Sequence, residues 1–150
     1  MTIRIASTAF EADRPIPKQY TGEGPDVSPP LAWSGVPAPT KELALLCDDP
    51  DAPTSEPWVH WILCKLSPTL TGLKEGDKGG GVEGKNSFEK IGYGGPLPPR
   101  GDGMHHYHFK LYALDQALGV AAGLSKDQLL AAMKGHILAQ GELIGTYERK

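Results

Sequence analysis

The chain has 150 residues, with 15 Lys+Arg against 18 Asp+Glu and a net charge of −3, a length that predicts one domain over residues 1–150 with its own core. Its acidic balance and singly scattered basic residues exclude a nucleic-acid binder, which needs a basic stripe to release counterions. Glycine and proline, at 19 and 14 residues, run at nearly twice average usage with no repeat period, and their alternation with apolar runs predicts short strands joined by structured loops.

Residues 2–10, with Ile3, Ile5 and Phe10, predict an opening strand or hairpin. Residues 11–40 read as loop, because seven prolines fall there and proline cannot donate to a ladder. Within it, residues 31–33 form at most a short edge piece. The apolar run 43–47 predicts a strand buried on both faces. A second strand follows at 58–66, where alternation puts Val59, Trp61 and Leu63 on one face and His60, Ile62 and Cys64 on the other. Residues 67–104 read as mostly loop again. They hold Gly79-Gly80-Gly81-Val82-Glu83-Gly84, a formal G-x-G-x-x-G, but no strand precedes it and no helical pattern follows, so a dinucleotide site is rejected.

Residues 105–114 predict a third strand with His105, Tyr107, Phe109 and Leu111 inward and His106, His108 and Lys110 outward. Ser125 and Gln128 form a capping box, after which Leu129, Leu130, Met133 and Ile137 recur at helical spacing up to Gly141. Residues 141–148 predict a closing strand. Cys47 and Cys64 lie in apolar runs without metal-type spacing and are expected as buried free thiols. No apolar stretch nears the roughly 18 residues of a membrane span, and the first residues lack the apolar core of a secretory signal. A cytoplasmic protein with no integral membrane segment is expected. The fold class expected is all-β dominated, an antiparallel Greek-key β-sandwich with one C-terminal packing helix.

The chemistry is concentrated in three segments. Asp48-Asp49-Pro50-Asp51-Ala52-Pro53 ends a buried strand in a turn stiffened by two prolines. Trp58-Val59-His60-Trp61 opens the next strand. Gly95-Pro96-Leu97-Pro98-Pro99 leads, through a glycine-rich turn, into Gly103-Met104-His105-His106-Tyr107-His108-Phe109. Asp49 at a strand end, His60 and His105 at strand starts, and walls of proline and tryptophan predict a small-anion pocket.

These three segments, together with Ser28-Pro29-Pro30-Leu31-Ala32-Trp33, resemble the phosphatidylethanolamine-binding protein family, which includes Raf kinase inhibitor protein, in its short prokaryotic branch. The resemblance implies a β-sandwich whose pocket binds phosphate-like or carboxylate anions, including phosphoethanolamine-type head groups. It implies no catalytic residue, no cofactor and no metal, a regulatory role in some members through a kinase or protease partner, and a homodimer in similar prokaryotic proteins. Carried over position by position, the ligand-binding residues are Asp49, Asp51, Trp58, His60, Pro98, Pro99, His105 and Tyr107. In a zwitterionic ligand, His60, His105 and Tyr107 would take the phosphate and Asp51 would face the ammonium. His106 stands where the family usually has arginine, and Leu97 stands where eukaryotic members have glycine.

The alternative is a metal-dependent hydrolase using His60, His105, His106, His108 and the aspartates. Against it, His105 and His106 point to opposite faces and no H-E-x-x-H occurs. Ser87-Phe88-Glu89-Lys90 matches S-x-x-K but lacks companion motifs.

Overall fold

The computed structural model describes residues 2–150. Its strands are β1 (Arg4–Ala6), β2 (Leu31–Ser34), β3 (Glu42–Asp49), β4 (Trp58–Leu66), β5 (Gly72–Leu73), β6 (Val82–Glu83), β7 (His105–Leu114) and β8 (Ile137–Tyr147), with one helix, α1 (Lys126–Met133), between the last two. They form two antiparallel sheets, in the orders β1-β2-β5 and β6-β4-β3-β7-β8.

Every residue of β3 is buried, and period-2 alternation sends its two faces into different cores. Leu43, Leu45 and Cys47 join Ile5, Leu31, Trp33 and Leu73 between the sheets. Ala44 and Leu46 pack on the far side with Ile62, Cys64, Leu129 and Met133, beneath α1. The large sheet is therefore covered on both faces, which is why β3 reads as a continuous apolar run. Both cysteines are free and buried. Among the described residues no helix is long and apolar enough to cross a membrane.

Three expectations are corrected. The piece at 31–33 is the middle strand of the small sheet, since β2 pairs with β1 (Ile5↔Trp33) and with β5 (Leu31↔Leu73). The prolines stop at Pro30 and resume at Pro37, so the six residues between them, which include all of β2, keep every backbone donor the two ladders need. The 67–104 segment holds two short strands, and β6 pairs with β4 through Leu63↔Glu83 and Cys64↔Val82.

The helix ends far short of Gly141. Its capping box is present, with Ser125 Oγ accepting from Gln128 N at 3.1 Å and Gln128 Oε1 accepting from Ser125 N at 2.9 Å. Gly135, at φ +81°, then turns the chain out of the helix as left-handed glycines do. Ile137 begins β8, and both it and Leu130 are exposed. Their spacing mimicked a helical stripe.

The third correction concerns β4, whose alternation breaks at a bulge. Cys47 pairs with Trp61 but Asp48 pairs with Val59, so His60 is the extra residue. A bulge puts two consecutive side chains on one side. His60 thereby joins the face of Trp61, and its ring stands edge-on to Tyr107 with centroids 5.1 Å apart.

Candidate functional site

Antiparallel pairing on both flanks of β3 brings its C-terminal end beside the start of β4 (Asp49↔Trp58) and the start of β7 (Asp48↔His108). Three distant segments therefore converge at one end of the sheet. The loop before β7 crosses above them, fixed where Gly95 N donates to Asp26 Oδ1 at 2.8 Å and Gly94 N to His60 O at 2.9 Å. A Cβ on Gly95 would collide with the Tyr20 carbonyl and the Asp26 carboxylate, so this close backbone approach requires glycine.

Beneath the loop is a cavity of about 190 Å³ lined by Asp49, Trp58, His60, Pro98, Pro99, His105 and Tyr107, with Ala52, Pro53, Thr54, Phe88 and Leu97 completing the wall. Asp51 is not among the lining residues. It turns outward, where its Oδ2 accepts from His106 N at 2.9 Å and from His106 Nδ1 at 2.7 Å. The three acids of the turn thus have three destinations. Asp48 goes to the far side of the sheet, buried between Lys126 at 2.8 Å and Lys110 at 3.2 Å. Asp49 enters the cavity, and Asp51 stays on the rim.

His105 is the best-anchored group. Its ring is 2% exposed, with Nδ1 2.7 Å from Asp49 Oδ2 and Nε2 2.6 Å from Asp102 Oδ2. When both carboxylates are ionised they only accept hydrogen bonds, so both ring nitrogens donate, and the imidazolium is the form this geometry favours. Burial works against that charge, but the hydrogen bonds to Asp49 and Asp102 outweigh it and hold the pKa above the ordinary histidine value. His60 behaves oppositely. Burial pushes its pKa down, and its Nδ1 donates to Gly94 O at 2.6 Å, so the neutral ring keeps a lone pair on Nε2. Burial raises the Tyr107 pKa, helped by the nearby Asp49 charge, so its hydroxyl remains a donor. The cavity thus combines a histidine ring paired with the carboxylates of Asp49 and Asp102, one hydroxyl donor and one imidazole acceptor within apolar walls.

Sequence reasoning missed Phe88 and Asp102. Phe88 meets Trp58 and His60 edge-on, at 5.4 and 5.6 Å between centroids. It is placed by buried Asn86, whose Oδ1 accepts from Phe88 N at 2.9 Å and Lys90 N at 3.2 Å. Val59 N donates to Ser87 Oγ at 2.8 Å and Ser87 N to Val59 O at 2.8 Å, so the S-x-x-K stretch is a pocket wall. Asp102 sits three residues before its histidine partner in a glycine-flanked turn. An acid at that spacing was its only sequence signal. His106 and His108 face away, paired with Asp51 and with Glu142 at 3.0 Å. Among the described residues no group of three or more His, Cys, Asp or Glu side chains is arranged to hold a metal ion.

The phosphatidylethanolamine-binding protein family model matches residues 6–148. A UPF0098 protein of Methanothermobacter thermautotrophicus is 46% identical over 153 residues, covering 98% of this chain and 99% of that protein. A UPF0098 protein of Chlamydia muridarum is 46% identical over 151 residues, with the same coverage. Among solved structures, CT736 from Chlamydia trachomatis superposes with a TM-score of 0.93 at 46% identity, covering 99% of each chain. YbcL from E. coli, described as a new member of the mammalian family, superposes with a TM-score of 0.92 at 32% identity over the whole of both chains. A match across nearly the full length, in sequence and in backbone, settles descent: the chain belongs to the phosphatidylethanolamine-binding protein family.

Proposed function

We propose that this protein is a ligand-binding protein without turnover, whose cavity takes a small phosphate-like or carboxylate anion, as a free ion, a phosphoethanolamine-type head group or a phosphorylated ligand. The carrying observation is His105, a buried imidazolium fixed by Asp49 at the floor of a cavity walled by Trp58, Phe88, Pro98 and Pro99. A fixed cation in dry surroundings attracts an anion more strongly than the same charge in water. The Tyr107 hydroxyl adds a second donor. On the same reading the strand order β7-β3-β4-β6 is a Greek key, and it is this winding that sets β3 and β7 side by side at the cavity. Leu97 and Met104 stay exposed near the cavity; on that observation we hold, as a second reading, a regulatory contact in which a protein partner such as a kinase or protease presents the anion.

Two charge-assisted hydrogen bonds at about 1.5–3 kcal/mol each, from which the cost of association is subtracted, give a bare anion about millimolar affinity at best. The test is calorimetry with phosphate and phosphoethanolamine at pH 6 and pH 8, on the wild type and on His105→Gln. Binding in the wild type that weakens at the higher pH and vanishes in the variant supports the reading. Equal binding by both proteins removes His105, and with it the reading.

A further inference from the structure

Resting on that anion-pocket reading, we infer that Asp102 is the pocket's own competing anion, a specificity-setting residue whose carboxylate occupies the His105 N–H that an incoming ligand needs, so that binding proceeds by its displacement. His105 has two donors. Nδ1 is committed to Asp49, whose carboxylate is 4% exposed and whose Oδ1 also accepts from Asp51 N at 2.8 Å. Nε2 is therefore the donor left for a ligand, and Asp102 Oδ2 stands 2.6 Å from it.

The two carboxylates differ in how firmly they are held. Asp49 is the last residue of β3, paired with Trp58 at the start of β4, and its carboxylate is almost fully buried. Asp102 is 40% exposed and rides on a turn closed by a 3.2 Å bond from its own N to Pro99 O. It is flanked by Gly101 and Gly103 at φ +77° and +81°, where an added Cβ would meet open space. Rotation of this side chain into water needs no repacking of the core. With Asp102 in place, two carboxylates face one imidazolium and the cluster carries a net negative charge that repels anions. With Asp102 turned out, the balance is one to one and the Nε2 donor of His105, a residue of the cavity wall, is freed for a ligand.

The ligand must therefore outcompete a carboxylate already tethered at the site, an intramolecular rival with a high effective concentration. A phosphate group, with more charge and a third acceptor oxygen, meets that demand better than a simple monocarboxylate. The fraction of molecules with Asp102 displaced lowers apparent affinity in proportion. Removing Asp102 restores the affinity that this competition withholds.

The test is calorimetric titration with inorganic phosphate of the wild type, Asp102→Ala, Asp102→Asn, His105→Gln and Asp51→Asn. Asp51 provides a charge-matched comparison: like Asp102 it is absent from the cavity wall, but its carboxylate is tied to His106 and not to His105. We expect both Asp102 variants to bind phosphate about tenfold more tightly, Asp51→Asn to gain no more than about twofold, and His105→Gln to lose binding. If the wild type binds, His105→Gln does not, and Asp102→Ala binds no better than wild type, the displacement inference is overturned and the pocket reading survives. An equal gain in Asp51→Asn reduces the effect to general electrostatics and overturns it too. Absence of binding in both the wild type and the Asp102 variants overturns the pocket reading and the inference together.

Discussion

His105 carries a charge that the surrounding carboxylates favour, and this couples binding and stability to pH. Its folded-state pKa lies above the ordinary value, so its contribution to stability is complete below the unfolded pKa of about 6.5 and is lost as pH rises through the folded value. His60 has the opposite sign. Its pKa is depressed by burial, so its contribution is complete above about pH 6.5 and falls away as pH drops towards the folded value. Urea melts of wild type and His105→Gln from pH 6 upward should show the wild type losing stability on the alkaline side and the variant lacking that loss. Parallel profiles would place the proton elsewhere. Asp49, His60 and His105 were legible as pocket groups because they stand at strand ends, but that Asp49 pairs with His105 and not with His60 was not. Asp102 was not, because which acid a turn aims at a ring depends on the φ angles of Gly101 and Gly103, and composition does not report those.

The elements differ in how local their causes are. α1 is closed by a capping box that the sequence displays, and removal of such a cap typically costs about 1 kcal/mol. Ser125→Ala should therefore lower the unfolding free energy by about 1 kcal/mol in a chemical melt. It should leave phosphate affinity unchanged, because α1 packs on the face of the sheet away from the cavity core. A loss of affinity would show that α1 and the cavity are coupled through Lys126 and Asp48. β7 was readable to the residue because alternating polar and apolar side chains reflect one buried and one half-exposed face. β4 was readable in its bounds but not in its facing. Its bulge arises from pairing with β3, and strand periodicity assumes a regular ladder.

At the scale of the whole molecule, the N-terminal segment joins the two sheets. Ile3 N donates to Gln140 O at 3.0 Å, Asp13 N to Ile144 O at 2.7 Å and Ile16 N to Thr146 O at 2.7 Å, while β1 pairs with β2 in the small sheet. The outer edge of β8 is thereby covered, which protects it from pairing with other chains. Gly141 and Gly145 allow this approach. A Cβ on Gly141 would strike the Ile3 carbonyl, and one on Gly145 would come within 2.6 Å of Ile16 Cγ1. Gly141→Ala should cost about 1–3 kcal/mol by overpacking and raise self-association in light scattering as the edge is uncovered. An unchanged melt and scattering profile would mean that the segment shifts without loosening.

The sequence by itself determined the strands whose burial pattern is written in their own residues, the capped start of the helix, the buried thiols, the family, and most of the residues that line the cavity. Those features depend on local periodicity, on turn stereochemistry and on motifs contiguous in the chain. Tertiary structure alone decided that β2 is central, that His60 shares the face of Trp61, that Asp51 lies outside the cavity lining, and that Asp102 closes on His105. Each of these is set by a partner far away in sequence or by a backbone angle at glycine, and a one-residue slip in pairing reverses the side on which a side chain lies.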